Sequence, residues 1–140
     1  MEYQTCFHDK MMTQLSNIAQ DVNGIGSARL AAAIVHKRDI VSIGINKRKS
    51  HPFQKKYGKN QDAIFLHAEI LAIHNALKRI SPEELSKSSL YVCRMRYTDQ
   101  TKRGMEYGLA CPCDGCKKAI AAFEIKNVFY TQDVRGIDFL

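Results

Sequence analysis

The chain has 140 residues, with 21 Lys or Arg against 14 Asp or Glu and a formal charge of +7. That length suits one domain, residues 1–140, whose core can bury roughly two thirds of the unfolded surface without staples. An odd count of five cysteines, no basic and apolar leader after Met1, and no apolar run near the roughly 20 residues of a membrane helix argue against a secreted disulfide scaffold or a membrane protein. A soluble protein of the reducing cytoplasm is expected. Its positive charge favours polyanionic or phosphorylated partners.

In chain order, Met11, Met12, Leu15, Ile18, Ala19 and Val22 recur at helical spacing, and Asn23-Gly24 is a natural stop. Two apolar runs, Leu30 to His36 and Ile40 to Ile45, flank the charged turn Lys37-Arg38-Asp39 and predict a β-hairpin. Alanine at 31, 32 and 33 is a poor strand former, which predicts close packing by helices on both faces. Residues 46–62 follow neither period. They carry six Lys or Arg with Phe53 and Tyr57, and predict a long basic binding loop.

Leu66, Ile70, Ile73, Leu77 and Ile80 step by four, three, four and three, so a second helix begins near His67. Ser81-Pro82-Glu83-Glu84 has the form of a capping box with proline at the first helical position, enough for one short extra helix. A third strand is expected over Leu90 to Arg96, then a polar loop over residues 97–110. A helix follows from Pro112, burying Cys116, Ala119, Ile120 and Phe123, and then a fourth strand over Asn127 to Thr131. Strands three and four should be parallel, joined by a right-handed helical crossover. Ile137-Asp138-Phe139 could add a short strand or end the chain as a tail.

Two short stretches carry the chemistry: His67-Ala68-Glu69 and Pro112-Cys113-Asp114-Gly115-Cys116. One imidazole and two thiolates suit a tetrahedral zinc site that keeps one corner open for water. Residues at i and i+2 of a helix do not face each other. In a first turn, however, His67 and Glu69 can converge on a point beyond the helix end, one reaching the metal and the other its water. His74 lies about 10 Å further along the axis and is a poor ligand candidate. Cys113 and Cys116 alone would also suit a redox pair, but that motif belongs after a fold's first strand rather than at the end of a long loop. A purely structural zinc site has no use for the non-ligating carboxylate of Glu69.

These residues resemble the signature of the zinc-dependent cytidine deaminase superfamily, H-x-E with P-C-x-x-C, at His67, Glu69, Pro112, Cys113 and Cys116. The resemblance covers roughly residues 28–131. It implies an α/β fold, a three-layer α-β-α sandwich around a central mixed sheet. It also implies Zn²⁺ held by His67, Cys113 and Cys116, attack of activated water on the amino-bearing ring carbon, and Glu69 as the proton shuttle. Ala68 would offer its backbone N–H to the base carbonyl, and Asn46 matches the asparagine that borders the sugar and base pocket.

Histidine as first ligand is similar to the deoxycytidylate and nucleic-acid deaminase branches, since the free-cytidine branch has cysteine there. Residues 124–130 resemble the strand entry of deoxycytidylate deaminases, with Glu124 where those commonly have glycine. Cys111 stands in place of the usual glutamate, and the 97–110 connection is longer than usual. Arg94 and Arg96 share one strand face near the carboxyl end of strand three, which suits a phosphate clamp. A cytosine base in a free nucleotide or nucleoside is therefore the expected substrate. The alternative is cytosine or adenine in single-stranded DNA or RNA, for which Phe53 and Tyr57 would stack bases. The superfamily resemblance implies a homo-oligomer whose subunits complete one another's pockets.

Overall fold

The computed structural model describes residues 2–22, 29–47, 67–98, 100–102, 104–133 and 137–139, with side chains for those between 7 and 133. The elements are α1 (Glu2–Gln20), β1 (Arg29–His36), β2 (Asp39–Ile45), α2 (Ala68–Ala76), α3 (Pro82–Ser86), β3 (Ser89–Tyr97), β4 (Met105–Gly108), α4 (Asp114–Ala122), β5 (Asn127–Thr131) and β6 (Ile137–Phe139). The basic segment with Phe53 and Tyr57 lies outside the described residues, apart from Asn46 and Lys47 at its start.

The sheet runs β2-β1-β3-β5-β6. β1 is antiparallel to β2 and to β3, β3 is parallel to β5, and β5 is antiparallel to β6, so the sheet is mixed as expected. β5 covers only Ser89 to Val92 of β3, and beyond it β4 pairs with Arg94 to Tyr97.

Strand alternation sends successive side chains to opposite faces, which explains the three alanines. Ala31 and Ala33, with Val35, Tyr91 and Cys93, pack against Met11, Met12, Leu15 and Ala19 of α1. Ala32, with Ile34, Leu90 and Val92, packs against Ile70 and Ile73 of α2, Leu85 of α3, and Ala119 and Ile120 of α4. This is the expected three-layer sandwich. Each fully buried Leu or Ile contributes about 1.5–3 kcal/mol relative to exposure.

Three expected elements differ in extent, and the alternative left open for residues 137–139 resolves to a strand. α1 begins at Glu2 rather than Met11, because Phe7 continues the apolar face one turn earlier. α2 ends at Ala76, with Leu77 as its cap, and Ile80 packs on the core from a turn. Residues 97–110, expected as an irregular loop, contain β4. Met105 and Tyr107 alternate with Glu106 and reach the α1-side core, so this is a one-sided strand whose polar face masked it. The Ser81 capping box is present, with Glu84 N donating to Ser81 Oγ at 3.1 Å and Ser81 N donating to Glu84 Oε1 at 3.2 Å. No helix among the described residues is long and apolar enough to cross a membrane.

At the edge strand, Val41 is an extra residue in the pairing: Ile34 faces Ser42 while Val35 faces Ile40. Asn75 Nδ2 of α2 donates to the Ile43 carbonyl at 3.2 Å. The β1–β2 turn places Lys37 at φ 52° and Arg38 at φ 70°, while His36 pairs with Asp39. Two left-handed residues form the turn that matches strand twist, and they favour asparagine or glycine over lysine. Arg38 is retained by its position 4.5 Å over the Phe7 ring, whereas Lys37 is exposed and its attraction to Glu84 lies at the surface, where such pairs contribute little. Lys37→Asn is therefore expected to stabilise the fold by about 0.5–1 kcal/mol, read as a higher denaturant midpoint at unchanged slope. A lower midpoint would contradict the turn assignment.

Candidate metal centre

Two helices bring the site together by their amino-terminal ends. α2 lies on β2 without an intervening side chain at Gly44: a Cβ there would sit 2.3 Å from the Ala68 carbonyl oxygen and 2.5 Å from the Ala72 nitrogen. Ser42 Oγ donates to the Ala72 carbonyl at 2.7 Å, further along the helix. α2 thus runs antiparallel to β2, and its amino terminus faces the carboxyl end of β2 and β3.

α4 is delivered to the same end by the β4–β5 junction. Ala110 N donates to the Thr131 carbonyl at 2.9 Å, and Thr131 Oγ1 donates to the Gly108 carbonyl at 2.7 Å. Thr131 is wholly buried. Cys111 to Cys113 therefore leave from the end of β5.

His67 and Cys113 occupy equivalent places, each the extended residue immediately before its helix. Neither side chain caps its own helix. Their carbonyls accept the first intrahelical bonds, from Leu71 N at 3.1 Å and Lys117 N at 2.8 Å. Cys116 follows one turn after Cys113, on the same helix face. His67 Nδ1 lies 3.3 Å from Cys116 Sγ and 3.6 Å from Cys113 Sγ, and the three donor atoms all lie within 4.8 Å of one another.

Tetrahedral zinc with Zn–N near 2.05 Å and Zn–S near 2.3 Å requires N···S separations of about 3.6 Å, so the spacing and the donor types both fit. His67, Cys113 and Cys116 are positioned to bind the metal. Three protein ligands leave the fourth position of a tetrahedral ion for water or substrate.

The electrostatics follow from burial and contact. The Cys113 thiol is drawn down to about 3, first by its hydrogen bond with Cys116 and then by the one with His67. Cys116 is pushed up, first by its bond to Cys113 and then by burial. His67 is raised, chiefly through Cys113. Both helix amino termini, with their partial positive charge, also favour anionic groups here.

Glu69 is the second residue of α2, 4 % exposed, and is not among the metal-ligating set. Burial pushes its carboxyl up, against the opposing pull of backbone hydrogen bonding and the His67 charge. Ala68 is the first helical residue, so its amide is one of the N–H groups without an intrahelical acceptor. His74 is in the last turn of α2, outside the ligand cluster.

Asn46, the residue after β2, is a buried strap: its Oδ1 accepts from Leu30 N at 2.9 Å, and its own N donates to the Leu30 carbonyl at 3.3 Å. Arg94 and Arg96 lie on the sheet face of Leu90 and Val92, toward α2 and α4. Arg96 pairs with Glu106 at 3.3 Å and Asp133 at 3.7 Å. Sequence reasoning overlooked Gly44 and Thr131, which place the two helices. An isolated glycine within a strand pattern is the one local signal of such a close approach.

With this geometry established, a family comparison matches the cytidine and deoxycytidylate deaminase zinc-binding region to residues 6–132. The chain belongs to that family, and is a deaminase of the zinc-dependent cytidine and deoxycytidylate class. Among curated proteins none matches by sequence. The fold is similar to that of dCMP deaminase from the cyanophage S-TIM5, with 22% identity, a TM-score of 0.60, and coverage of 91% of this chain and 84% of that one. It is also similar to cytidine deaminase from Burkholderia pseudomallei, with 14% identity, a TM-score of 0.61, and coverage of 95% and 91%. A bifunctional deaminase/reductase from Thermotoga maritima shares 21% identity at a TM-score of 0.52, over 91% of this chain and 30% of that one.

Two variants test the construction of the centre. Cys116→Ser is expected to lose stoichiometric zinc and lower the melting temperature. Zinc content by elemental analysis that stays at one per chain would place the ion elsewhere. Gly44→Ala drives a methyl group into the α2 backbone and is expected to cost about 1–3 kcal/mol. It should also weaken zinc retention against a chelator, because His67 moves with the helix; unchanged retention would show that α2 is positioned by other contacts.

Proposed function

We propose that residues 1–140 form one hydrolytic deaminase domain acting on a cytosine-type base in a free nucleotide or nucleoside, of the deoxycytidylate kind. The observation that carries the reading is a buried, non-ligating carboxylate, Glu69, held beside three metal ligands at the meeting point of two helix amino termini. Zinc supplies the Lewis acidity that makes water nucleophilic near neutral pH.

The chain's own residues carry the proton traffic. Glu69 accepts a proton from the attacking water and passes it to the ring nitrogen next to the amino-bearing carbon. A C–O bond forms there. Glu69 then moves the remaining hydroxyl proton to the amino group, the C–N bond breaks, and ammonia leaves with a carbonyl in its place. The raised affinity of Glu69 for protons, set by its burial, suits a group that must hold and release one within a turnover.

Ala68 N–H is assigned to the base carbonyl, and Asn46 to the wall beside sugar and base. Arg94 and Arg96 bring positive charge to the same sheet face, which supports a phosphorylated substrate. The cyanophage dCMP deaminase, of similar fold, was solved in complex with dCMP and dUMP. The thiol ligands suit a reducing cytoplasm, and the family resemblance supports a homo-oligomer.

Glu69→Gln removes the shuttle and keeps the ligands. Zinc content should be unchanged, while ammonia release from deoxycytidylate falls by about 10²–10⁴-fold. Retained turnover would assign the proton transfers to another group. In the same assay, activity confined to single-stranded DNA or RNA and steeply lowered by salt would move the substrate from free nucleotides to polynucleotides.

A further inference from the structure

The β3–β4 hairpin treats its two arginines differently. Arg96 is held by carboxylates on both sides, Glu106 of β4 and Asp133 beyond β5. Both arginines bury their Nε without a hydrogen bond, but Arg94, two residues earlier on the same face, has no ion-pair partner among the described residues. A half-buried guanidinium with no counter-charge among the described residues is a ready place for an anion.

Sheet register places that anion. Leu30 pairs with Arg94, Arg94 pairs with Gly108, and Asn46 is bonded to Leu30 through backbone and side chain. Leu30, Arg94 and Gly108 thus form one row across β1, β3 and β4, continued by Asn46 just past the end of β2. The preceding row contains Gly44, Ala32 and Val92, and it is at Gly44 that the first turn of α2 presses on the sheet. Two residues of strand are about 6.7 Å. The Arg94 row therefore lies one step beyond the amino terminus that presents His67, on the face that α2 and α4 cover.

What holds Arg94 in this place is the absence of a side chain at residue 108. A Cβ there would lie 3.1 Å from Arg94 Cδ, 3.2 Å from Cγ and 3.4 Å from Nε, so the arginine stem lies directly along the glycine. The backbone beneath is fixed by one buried hydroxyl. Thr131 Oγ1 accepts from Arg94 N at 3.1 Å and donates to the Gly108 carbonyl at 2.7 Å. Gly108 needs no unusual backbone here, since none of the left-handed φ values falls on it. Its smallness serves the arginine.

We propose that Gly108 is a positioning residue that lays Arg94 along the floor of the substrate pocket to take the substrate's phosphate group, while Arg96 serves the hairpin through Glu106 and Asp133. This rests on the functional reading above and divides the two arginines that it treats together. The hairpin thereby becomes the part of the chain that distinguishes a nucleotide from a nucleoside.

The test is a binding measurement that needs no turnover. The zinc-loaded chain is titrated calorimetrically with 2′-deoxyuridine 5′-monophosphate and with 2′-deoxyuridine, and the ratio of the two affinities is the readout. Gly108→Val suits an edge strand but fills the groove of the arginine stem, and it should reduce the ratio about tenfold or more. Arg94→Ala should abolish the preference, and adding Gly108→Val to it should change the ratio no further, because both act through one contact.

A merely structural role would lower the melting temperature and weaken both ligands alike, leaving the ratio unmoved in either background; that outcome overturns the proposal. If Gly108→Val fails to fold, Gly108→Ala makes the same test with a smaller expected drop in the ratio. A wild-type chain that releases ammonia from deoxycytidine or its monophosphate, yet binds the two probes equally, sinks this inference alone. A chain that binds neither probe and deaminates neither compound sinks the functional reading with it.

Discussion

Everything at the metal centre depends on one contact made without side chains, the seating of α2 on the backbone of β2 at Gly44. Helix-to-sheet packing ordinarily has two layers of side chains between the backbones. Here the Ala68 carbonyl and Ala72 nitrogen approach too closely for even a methyl group. Ser42 and Asn75 add directional bonds at either side of the same strand. The helix is thereby fixed in depth and rotation, and His67 and Glu69 inherit that placement.

The second half of the centre is fixed by a different device. Thr131 is buried at the end of β5 and joins two strands and a connecting segment through its hydroxyl and carbonyl: β3 at Arg94, β4 at Gly108, and the segment leading to Cys113 at Ala110. One polar residue in a dry place, with its groups satisfied, holds the exit of the hairpin against the sheet. The two cysteines and the histidine come from segments 46 residues apart in sequence, and each segment is tied to the sheet within a few residues of its ligand. Such anchoring keeps ligand spacing independent of the longer connections that precede each motif.

The division between what could and could not be read from the amino-acid sequence follows from this. His67, Glu69, Cys113 and Cys116 were legible because ligand chemistry and helix position are local properties, readable from residue type and spacing. The three alanines of β1 told of helices on both faces, because their small volume is itself a packing statement. Gly44, Gly108 and Thr131 were opaque: each matters through a residue on another strand, and register is not written in any single segment. β4 was missed because Gly104, Glu106 and Gly108 outweighed the alternation of Met105 and Tyr107. The early start of α1 was missed because polar residues surround Phe7.

The outer rim of β2 carries a consequence for how this chain meets its own copies. An edge strand with regular pairing presents evenly spaced donors and acceptors to any other strand, and so invites fibrous aggregation. Here the extra residue at Val41 breaks that spacing, and Asn75 occupies the Ile43 acceptor. The rim is a poor template for sheet extension. Crowding alone is thereby less able to draw the sheet that supports the chemistry into strand-to-strand aggregates.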